Sequence, residues 1–151
     1  MKDKIKQDLN LFFVDCFNAI LRQEECALEQ TFNGELSVKE MHLLEAIDIK
    51  QKNRQNSSTG VAGHLGITLG SLTVAARVLE KKGYIDKIKD EADKRVSYLF
   101  LTEKGKFANA THEKFHAKMI EEVINLLNEQ EGEILISSLI KLKNYFKEGE
   151  I

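Results

Sequence analysis

Apolar residues recur every three or four positions over long stretches of the chain, which is the pattern of amphipathic helices. This spacing predicts a first helix over residues 3–30, with an unusually wide and phenylalanine-rich stripe. Two further stripes predict a helix from Thr102 to about Asn128 and another from about Glu131. These terminal helices carry more apolar side chains than one small lobe can cover. We therefore expect them to pack against a second copy of the chain.

The middle of the chain predicts three shorter helices. The run Ser37-Val38-Lys39-Glu40 is a capping box, in which the serine hydroxyl and the glutamate satisfy orphan N–H groups at a helix start. A short helix over 59–65 then stops at Gly66, and Thr68 offers an N-cap for another helix that ends at Gly83. Two short helices joined by a glycine-containing turn are typical of a helix-turn-helix.

A β-hairpin follows. Residues 84–88 and 96–101 alternate between apolar and polar side chains and flank a polar hexapeptide at 89–94, which indicates two strands with a charged tip. The predicted fold is therefore mainly α with a small β-hairpin wing, a winged helix-turn-helix. We assign the winged lobe to residues 36–106 and the dimerisation helices to 1–35 and 107–151 of a single protomer.

Length and composition exclude several classes of protein. The 151 residues are 42% hydrophobic and 30% charged, which fits one soluble protomer and excludes low-complexity and disulfide-stapled chains. No apolar run approaches ~20 residues, and the first ten residues lack the apolar core of a secretory signal, so we expect a cytoplasmic protein without a membrane partner. Neither a nucleophile elbow nor a phosphate-binding glycine loop is present, and we do not expect an enzyme.

The charge is unevenly distributed. Residues 55–106 carry nine Lys or Arg and six acids, whereas the remainder of the chain is net acidic, although the total is only −2. A basic middle between acidic ends suggests a polyanionic partner, and in a winged helix that partner is double-stranded DNA. The alternative is a winged helix that binds only protein, which would show no salt-dependent affinity for DNA.

The second helix of a helix-turn-helix fits the major groove, where base edges are distinguishable. Its exposed positions should supply the DNA contacts, namely Thr68, Gly70, Ser71, Thr73 and Arg77. In the wing, Lys94 and Arg95 can lie across the backbone or enter a narrow minor groove.

Five segments together resemble the MarR family of bacterial regulators. They are Ser37-Val38-Lys39-Glu40, Ala62…Gly66-Ile67-Thr68, Leu79-Glu80-Lys81-Lys82-Gly83-Tyr84-Ile85, Asp93-Lys94-Arg95 and Leu101-Thr102-Glu103-Lys104-Gly105. The resemblance covers essentially the whole chain. It implies a homodimeric transcriptional regulator, most often a repressor, with two winged lobes on a palindromic operator. By similarity, Arg95 enters the minor groove and Asp93 holds it in place.

Within that family, four stretches resemble the fatty-acid-synthesis repressor (FabT-like) branch of Gram-positive bacteria. They are Phe17-Asn18…Glu24-Glu25, Lys39-Glu40-Met41-His42, Thr68-Leu69-Gly70-Ser71-Leu72-Thr73 and His112-Glu113-Lys114-Phe115-His116. This resemblance implies acyl-carrier protein as a co-repressor. For its acyl chain we consider the seam between the first and fifth helices, near Phe13, Phe17, Met41, Leu44 and Met119.

The histidines offer a competing effector. His112 and His116 are four residues apart, so both lie on one face of a helix and can share a metal. With Glu24 and His42 they resemble by position the main ligands of the family's zinc-uptake repressor branch. However, Met41 and Thr111 stand where that branch has acids for a secondary zinc position. The alternative is a hydrogen-bonded polar cluster, with no cofactor required.

Overall fold

The computed structural model describes residues 2–148 and confirms a mainly helical chain with a hairpin wing. In order, the elements of these residues are α1 (Lys2–Phe32), α2 (Val38–Lys52), α3 (Ser58–Leu65), α4 (Leu69–Lys81), β1 (Ile85–Lys89), β2 (Ser97–Leu101), α5 (Glu103–Asn125) and α6 (Glu129–Glu148). Met1 and residues 149–151, the extreme ends of the predicted dimerisation segments, lie outside the described residues.

Local capping chemistry sets the helix starts and stops of the winged lobe. The Ser37 hydroxyl accepts a hydrogen bond from the Glu40 amide, and the Glu40 carboxylate accepts one from the Ser37 amide at 2.8 Å, which confirms the predicted capping box. Thr68 caps α4 by accepting from the amide of Ser71 at 3.1 Å. Gly66 ends α3 in the left-handed region, with φ at 66°. That conformation suits glycine, since it has no Cβ.

Several helix boundaries differ from the predicted ones. Helix α1 spans Lys2–Phe32 rather than 3–30, α5 ends at Asn125 rather than near Asn128, and two further helices begin earlier than the sequence pattern suggests. Ser57 caps α3 by accepting from the Gly60 amide, so that helix starts at Ser58 rather than Thr59. Likewise, Asn128 and Glu131 form a reciprocal cap that starts α6 at Glu129.

The two strands pair antiparallel, with Ile85 opposite Leu101 and Lys89 opposite Ser97. The chain just before α3 also joins this hairpin. Asn56 donates from its side-chain amide to the Leu99 carbonyl at 2.8 Å, and the Leu99 amide donates to the Asn56 carbonyl at 2.9 Å. The base of the wing is thereby bonded to the start of the helix-turn-helix.

The chain divides into two compact units, Met1–His112 and Glu113–Ile151. The first unit holds a hydrophobic core that draws on α2, α3, α4 and the hairpin. Its largest fully buried side chains are Tyr84, Met41, Leu44, Ile47, Leu72, Leu79, Ile85, Leu99 and Val61. In the second unit most large apolar side chains of α5 and α6 are exposed in the single chain.

No single helix of the described chain is long and apolar enough to cross a membrane. Helices α3 and α4 reach that length and composition only when they are taken together, across a bend of 107°.

Candidate nucleic-acid interface

Helix α4 presents one apolar face to the core and one mixed face to solvent. Leu72, Ala76 and Leu79 are buried. The opposite face is exposed and carries Thr68, Gly70, Ser71, Val74 and Arg77. A side chain at position 70 would meet only the Thr68 hydroxyl, at 3.9 Å, so another molecule can approach the backbone closely there.

The hydroxyl groups of this helix differ in whether their proton is still available to donate to another molecule. Thr68 uses its oxygen to cap the helix and donates its proton to the Ser71 hydroxyl at 2.9 Å. Thr73 is half-buried and donates to the Leu69 carbonyl at 2.8 Å. Ser71 accepts from Thr68 and keeps its own proton for an outside acceptor. Of the three hydroxyls predicted to contact DNA, Ser71 is therefore the best placed as a donor.

The wing carries an arginine whose position is fixed by an aspartate. Asp93 accepts hydrogen bonds from the Arg95 amide at 3.0 Å, from Nε at 3.1 Å and from Nη2 at 3.2 Å. These bonds to Arg95 hold the pKa of the Asp93 carboxyl below its usual value. The side chain of Arg95 is nonetheless 92% exposed, so its charge remains available to an anion.

Asp90 shapes the turn beside that arginine, and sequence reasoning missed it. Its carboxylate accepts from the amides of Asp93 at 2.8 Å and Ala92 at 2.9 Å. These backbone hydrogen bonds lower the pKa of Asp90. The available signal was an aspartate at the start of a polar turn, a residue that commonly bonds the backbone two or three positions ahead.

Lys82, Lys104 and Lys106 are lysines of the basic middle that already have acidic partners, and Lys106 pairs with Glu103 on the same helix. The Lys82 ammonium lies 2.6 Å from Glu40 Oε1 and donates to the Glu35 carbonyl. Lys104 pairs with Glu35 and also sits over the Tyr84 ring, 4.2 Å from its centroid. The hydrogen bond from Lys104 lowers the pKa of Glu35, whose side chain is exposed. The charges of Lys82 and Lys104 are balanced by acids of the lobe and do not form a free basic surface.

Three of the four predicted metal ligands come together in the first unit. The ligand atoms of Glu24, His42 and His112 all lie within 4.8 Å of one another. Each histidine places Nε2 at 3.5 Å from Glu24 Oε1. Glu24 and His112 are buried and His42 is half-buried. His116 belongs to the second unit, where its ring packs edge-on against Phe115.

Comparison with known proteins identifies the fold and its family. The MarR family model matches residues 36–97, which span α2 to the start of β2. The structure of Streptococcus pneumoniae FabT in complex with DNA is 33% identical, covers 95% of this chain and 98% of the FabT chain, and superposes with a TM-score of 0.86. The chain belongs to the MarR family. It is accordingly a winged-helix transcriptional regulator of a DNA-binding class and not an enzyme.

More distant MarR-type structures share the fold. S. aureus MepR bound to DNA is 20% identical with a TM-score of 0.77, covering 91% of this chain and 97% of its own. A MarR/EmrR family regulator from Acinetobacter sp. ADP1 is 20% identical with a TM-score of 0.72, covering 96% and 99%. No curated protein sequence matches the chain.

The residues considered for an acyl-chain seam in this MarR-family chain have different environments. Met41 and Leu44 are fully buried in the core of the winged lobe. Phe13 and Phe17 stack on each other along α1, with centroids 6.1 Å apart, and Phe17 is 67% exposed. Met119 belongs to the second unit. A ligand that reached Met41 or Leu44 would have to displace core packing, whereas Phe13 and Phe17 are accessible from one side.

Proposed function

We propose that the chain is a repressor that binds a palindromic operator as a homodimer, with one α4 helix in the major groove of each half-site. The observation that carries the proposal is the exposed face of α4 beside a wing whose Arg95 is held outward by Asp93. Ser71 and Arg77 face the base edges, and Lys94 and Arg95 approach the adjacent minor groove. Gly70 allows the backbone of α4 to come close to the DNA.

The dimer is supported by the apolar side chains that one chain leaves exposed outside the winged lobe. They lie on α1, α5 and α6 and include Ile5, Leu9, Phe12, Ile120, Ile124, Ile134, Leu139 and Phe146. An exposed apolar surface of this extent on three helices indicates a protein–protein contact. A two-fold dimer also matches the symmetry of a palindrome, whose half-sites lie about 34 Å apart.

We further propose fatty-acid-synthesis genes as the target, with acyl-carrier protein as co-repressor. The support is the resemblance of the α1, α4 and α5 segments to that branch, together with the 33% identity to FabT over nearly the full chain. An acyl chain carried by that protein would contact the stacked Phe13 and Phe17, which are the accessible members of the seam.

A zinc-responsive regulator is the second candidate, and the convergence of Glu24, His42 and His112 favours it. Two imidazoles and one carboxylate are a donor set that zinc accepts. Bound zinc would supply a fixed link between α1, α2 and α5. Without metal, the two histidines and the glutamate form a polar cluster at the junction of these helices.

One binding experiment separates these candidates. A duplex is selected from a random pool, and its affinity is measured in chelator and in buffered micromolar zinc. If zinc is the effector, affinity rises by about tenfold or more, or about 1.4 kcal/mol, and the rise is lost in His112→Ala. No change with zinc, followed by tighter binding when acyl-loaded carrier protein is added, supports the fatty-acid role. Failure to select any duplex contradicts DNA binding itself.

A further inference from the structure

We propose that the cleft between α4 and the base of the wing is the seat of one operator phosphate, held by Lys87. The inference rests on the proposed DNA-binding function and deepens it. It gives a role to Lys87, which belongs neither to the recognition helix nor to the tip of the wing. The ligand class is a phosphodiester of the DNA backbone.

The cleft has a volume of about 150 Å³, which is room for one phosphate group. Three elements of the winged lobe form it. The start of α3 contributes Ser57 and Thr59, α4 contributes Leu69 and Thr73, and the wing contributes Lys87 and Arg95. The cleft therefore opens between the element proposed for the major groove and the element proposed for the minor groove.

That position matters because one sugar–phosphate strand always separates a major groove from the neighbouring minor groove. If α4 lies in one groove and the wing in the other, the strand must cross the gap between them. The gap in this lobe is the cleft. A phosphate at this point fixes the register of the lobe on the duplex without reading sequence.

Lys87 is an unusual residue for its place in the hairpin. It lies on the same face of β1 as the buried Ile85 and directly opposite Leu99, which is fully buried. Alternation along a strand would normally place an apolar side chain on this core-facing side. Lys87 is half-buried, and within the described residues no ion pair to it is found, in contrast to Lys82 and Lys104. A half-buried lysine that lines a cleft and has no carboxylate partner there is suited to an incoming anion.

The other walls of the cleft are fixed by contacts within the lobe. The hydroxyls of Ser58 and Ser97 lie 2.8 Å apart and join the start of α3 to β2. The Ser57 oxygen accepts from the Gly60 amide, which leaves the Ser57 proton free to donate to a phosphate oxygen. The Thr73 hydroxyl already donates to the Leu69 carbonyl, so its proton is not available to a phosphate. The site thus offers a cation and a hydroxyl donor in a preformed position.

The test combines a charge-removing variant with neutral phosphates. Binding to the selected duplex is measured by fluorescence anisotropy between about 50 and 200 mM salt, for wild type and Lys87→Gln. The slope of log K against log salt should become shallower by about 0.9 for each protomer bound. In a second experiment, single phosphates of the duplex are replaced in turn by neutral methylphosphonates. Replacement of one particular phosphate per half-site should weaken binding of the wild type and should have no further effect on binding of Lys87→Gln.

Two variants control for other causes. Lys87→Arg keeps the charge and should keep both the salt slope and the methylphosphonate penalty. Lys89→Gln removes the same charge two residues along the strand, outside the cleft, and should leave the penalty at the Lys87-dependent phosphate intact. Urea unfolding of all three variants checks that the lobe is folded.

The outcomes are distinguishable. An unchanged slope and an unchanged methylphosphonate profile in Lys87→Gln would overturn the phosphate site while leaving DNA binding in place. If the wild-type protein binds no duplex in a salt-dependent manner, the proposed function and the phosphate site both fail.

Discussion

Arg95 shows how one side chain can be both exposed and oriented. Its guanidinium is 92% exposed, and a long charged side chain with that exposure would ordinarily sample many rotamers. Asp93 removes much of that freedom through two bonds to the guanidinium and one to the backbone amide. Most of the entropy cost of ordering the arginine is therefore incurred when the wing folds and not when DNA binds, which favours affinity for DNA.

Truncation of the two arginines tests the assignment of DNA contacts. Arg95→Ala and Arg77→Ala should each weaken operator binding by about 1–3 kcal/mol if the arginine contacts base edges. Anisotropy titrations on the selected duplex measure the loss, with Arg22→Ala on α1 as the control outside the winged lobe. Losses within error at both positions would contradict the assignment.

Glu40 joins helix capping to an ion pair, and its charge should make folding depend on pH. Burial raises the pKa of Glu40, but hydrogen bonds from Lys82 and Ser37 outweigh burial and place it below the ordinary value of 4.5. A carboxyl whose pKa is depressed by folding stabilises the protein above its unfolded-state pKa. That contribution is lost as the pH falls through the folded-state pKa.

Glu40→Gln keeps the capping geometry and removes only the charge. At pH 7 the variant should be less stable to urea than wild type, by on the order of 1 kcal/mol. The difference should stay constant above the unfolded-state pKa of about 4.5, because the carboxyl is then ionised in both states. It should shrink as the pH falls from there through the lower folded-state pKa, where the folded wild type is protonated as well. Glu103→Gln is the control, because its pair with Lys106 is exposed and should contribute little. A difference that grows in acid would refute the account.

At the scale of elements, α5 begins in direct contact with the segment that leads into the wing. A Cβ built on Gly105 would lie 2.1 Å from the Tyr84 carbonyl oxygen and 3.4 Å from the Leu101 side chain. Any side chain at this position would force the first turn of α5 away from the start of β1. The glycine is therefore required by close packing between two elements and not by its backbone angles.

Gly105→Ala should destabilise the lobe by about 1–3 kcal/mol, which is the usual cost of overpacking. Gly63→Ala is the matched control, because a Cβ at that helical position meets nothing within 4 Å. It should leave stability unchanged or raise it by up to about 1 kcal/mol. Urea midpoints measured by circular dichroism compare the two. Equal urea midpoints for Gly105→Ala and Gly63→Ala would show that α5 can shift to accommodate the methyl group without loss of stability.

Elements whose boundaries depend on neighbouring residues could be predicted from the sequence. The Ser37 capping box, the Thr68 cap and the Gly66 stop are examples, since each joins residues within four positions of one another. The pairing of Asn56 with Leu99 could not, because 43 residues separate the partners and neither residue indicates the other.

The candidate site was predictable to a similar extent. Periodicity placed Met41 and Leu44 on an apolar face of α2, but it could not show that this face lies in the lobe core rather than along a ligand seam. The spacing of His112 and His116 showed a shared helix face, whereas the contact of His112 with Glu24 depends on how α1 packs. The role of Lys87 depends on the cleft, which only the folded lobe contains.

At the scale of the whole molecule, the net charge of −2 does not show that some basic residues pair with acids while others stay available to DNA. Lys82 pairs with Glu40 and Lys104 pairs with Glu35, so these positive charges are balanced within the lobe. The positive charge that remains around α4 and the wing is supplied by residues such as Arg77, Lys87 and Lys94. A weakly acidic protein can in this way present a basic surface to DNA.

Assembly should depend on the apolar faces of the terminal helices. Leu139→Glu places a charge on the exposed apolar stripe of α6 and should convert a dimer into monomers, with a parallel loss of affinity for the full palindrome. Analytical ultracentrifugation measures the change. Lys141→Glu introduces an acid two residues away on the same helix and should leave the dimer intact. Dimers that persist in Leu139→Glu would place the interface elsewhere.

The bonds between Asn56 and Leu99 have a consequence for how such a regulator can evolve. Because these bonds join the start of α3 to the wing, we expect the DNA-binding lobe of each protomer to move as one rigid body. An effector would then change the position of the lobe on the DNA without changing the base sequence that the lobe recognises. Selection is free to replace the sensor while the set of target genes stays the same, and to retune the targets through a few side chains of α4 while the sensor stays the same.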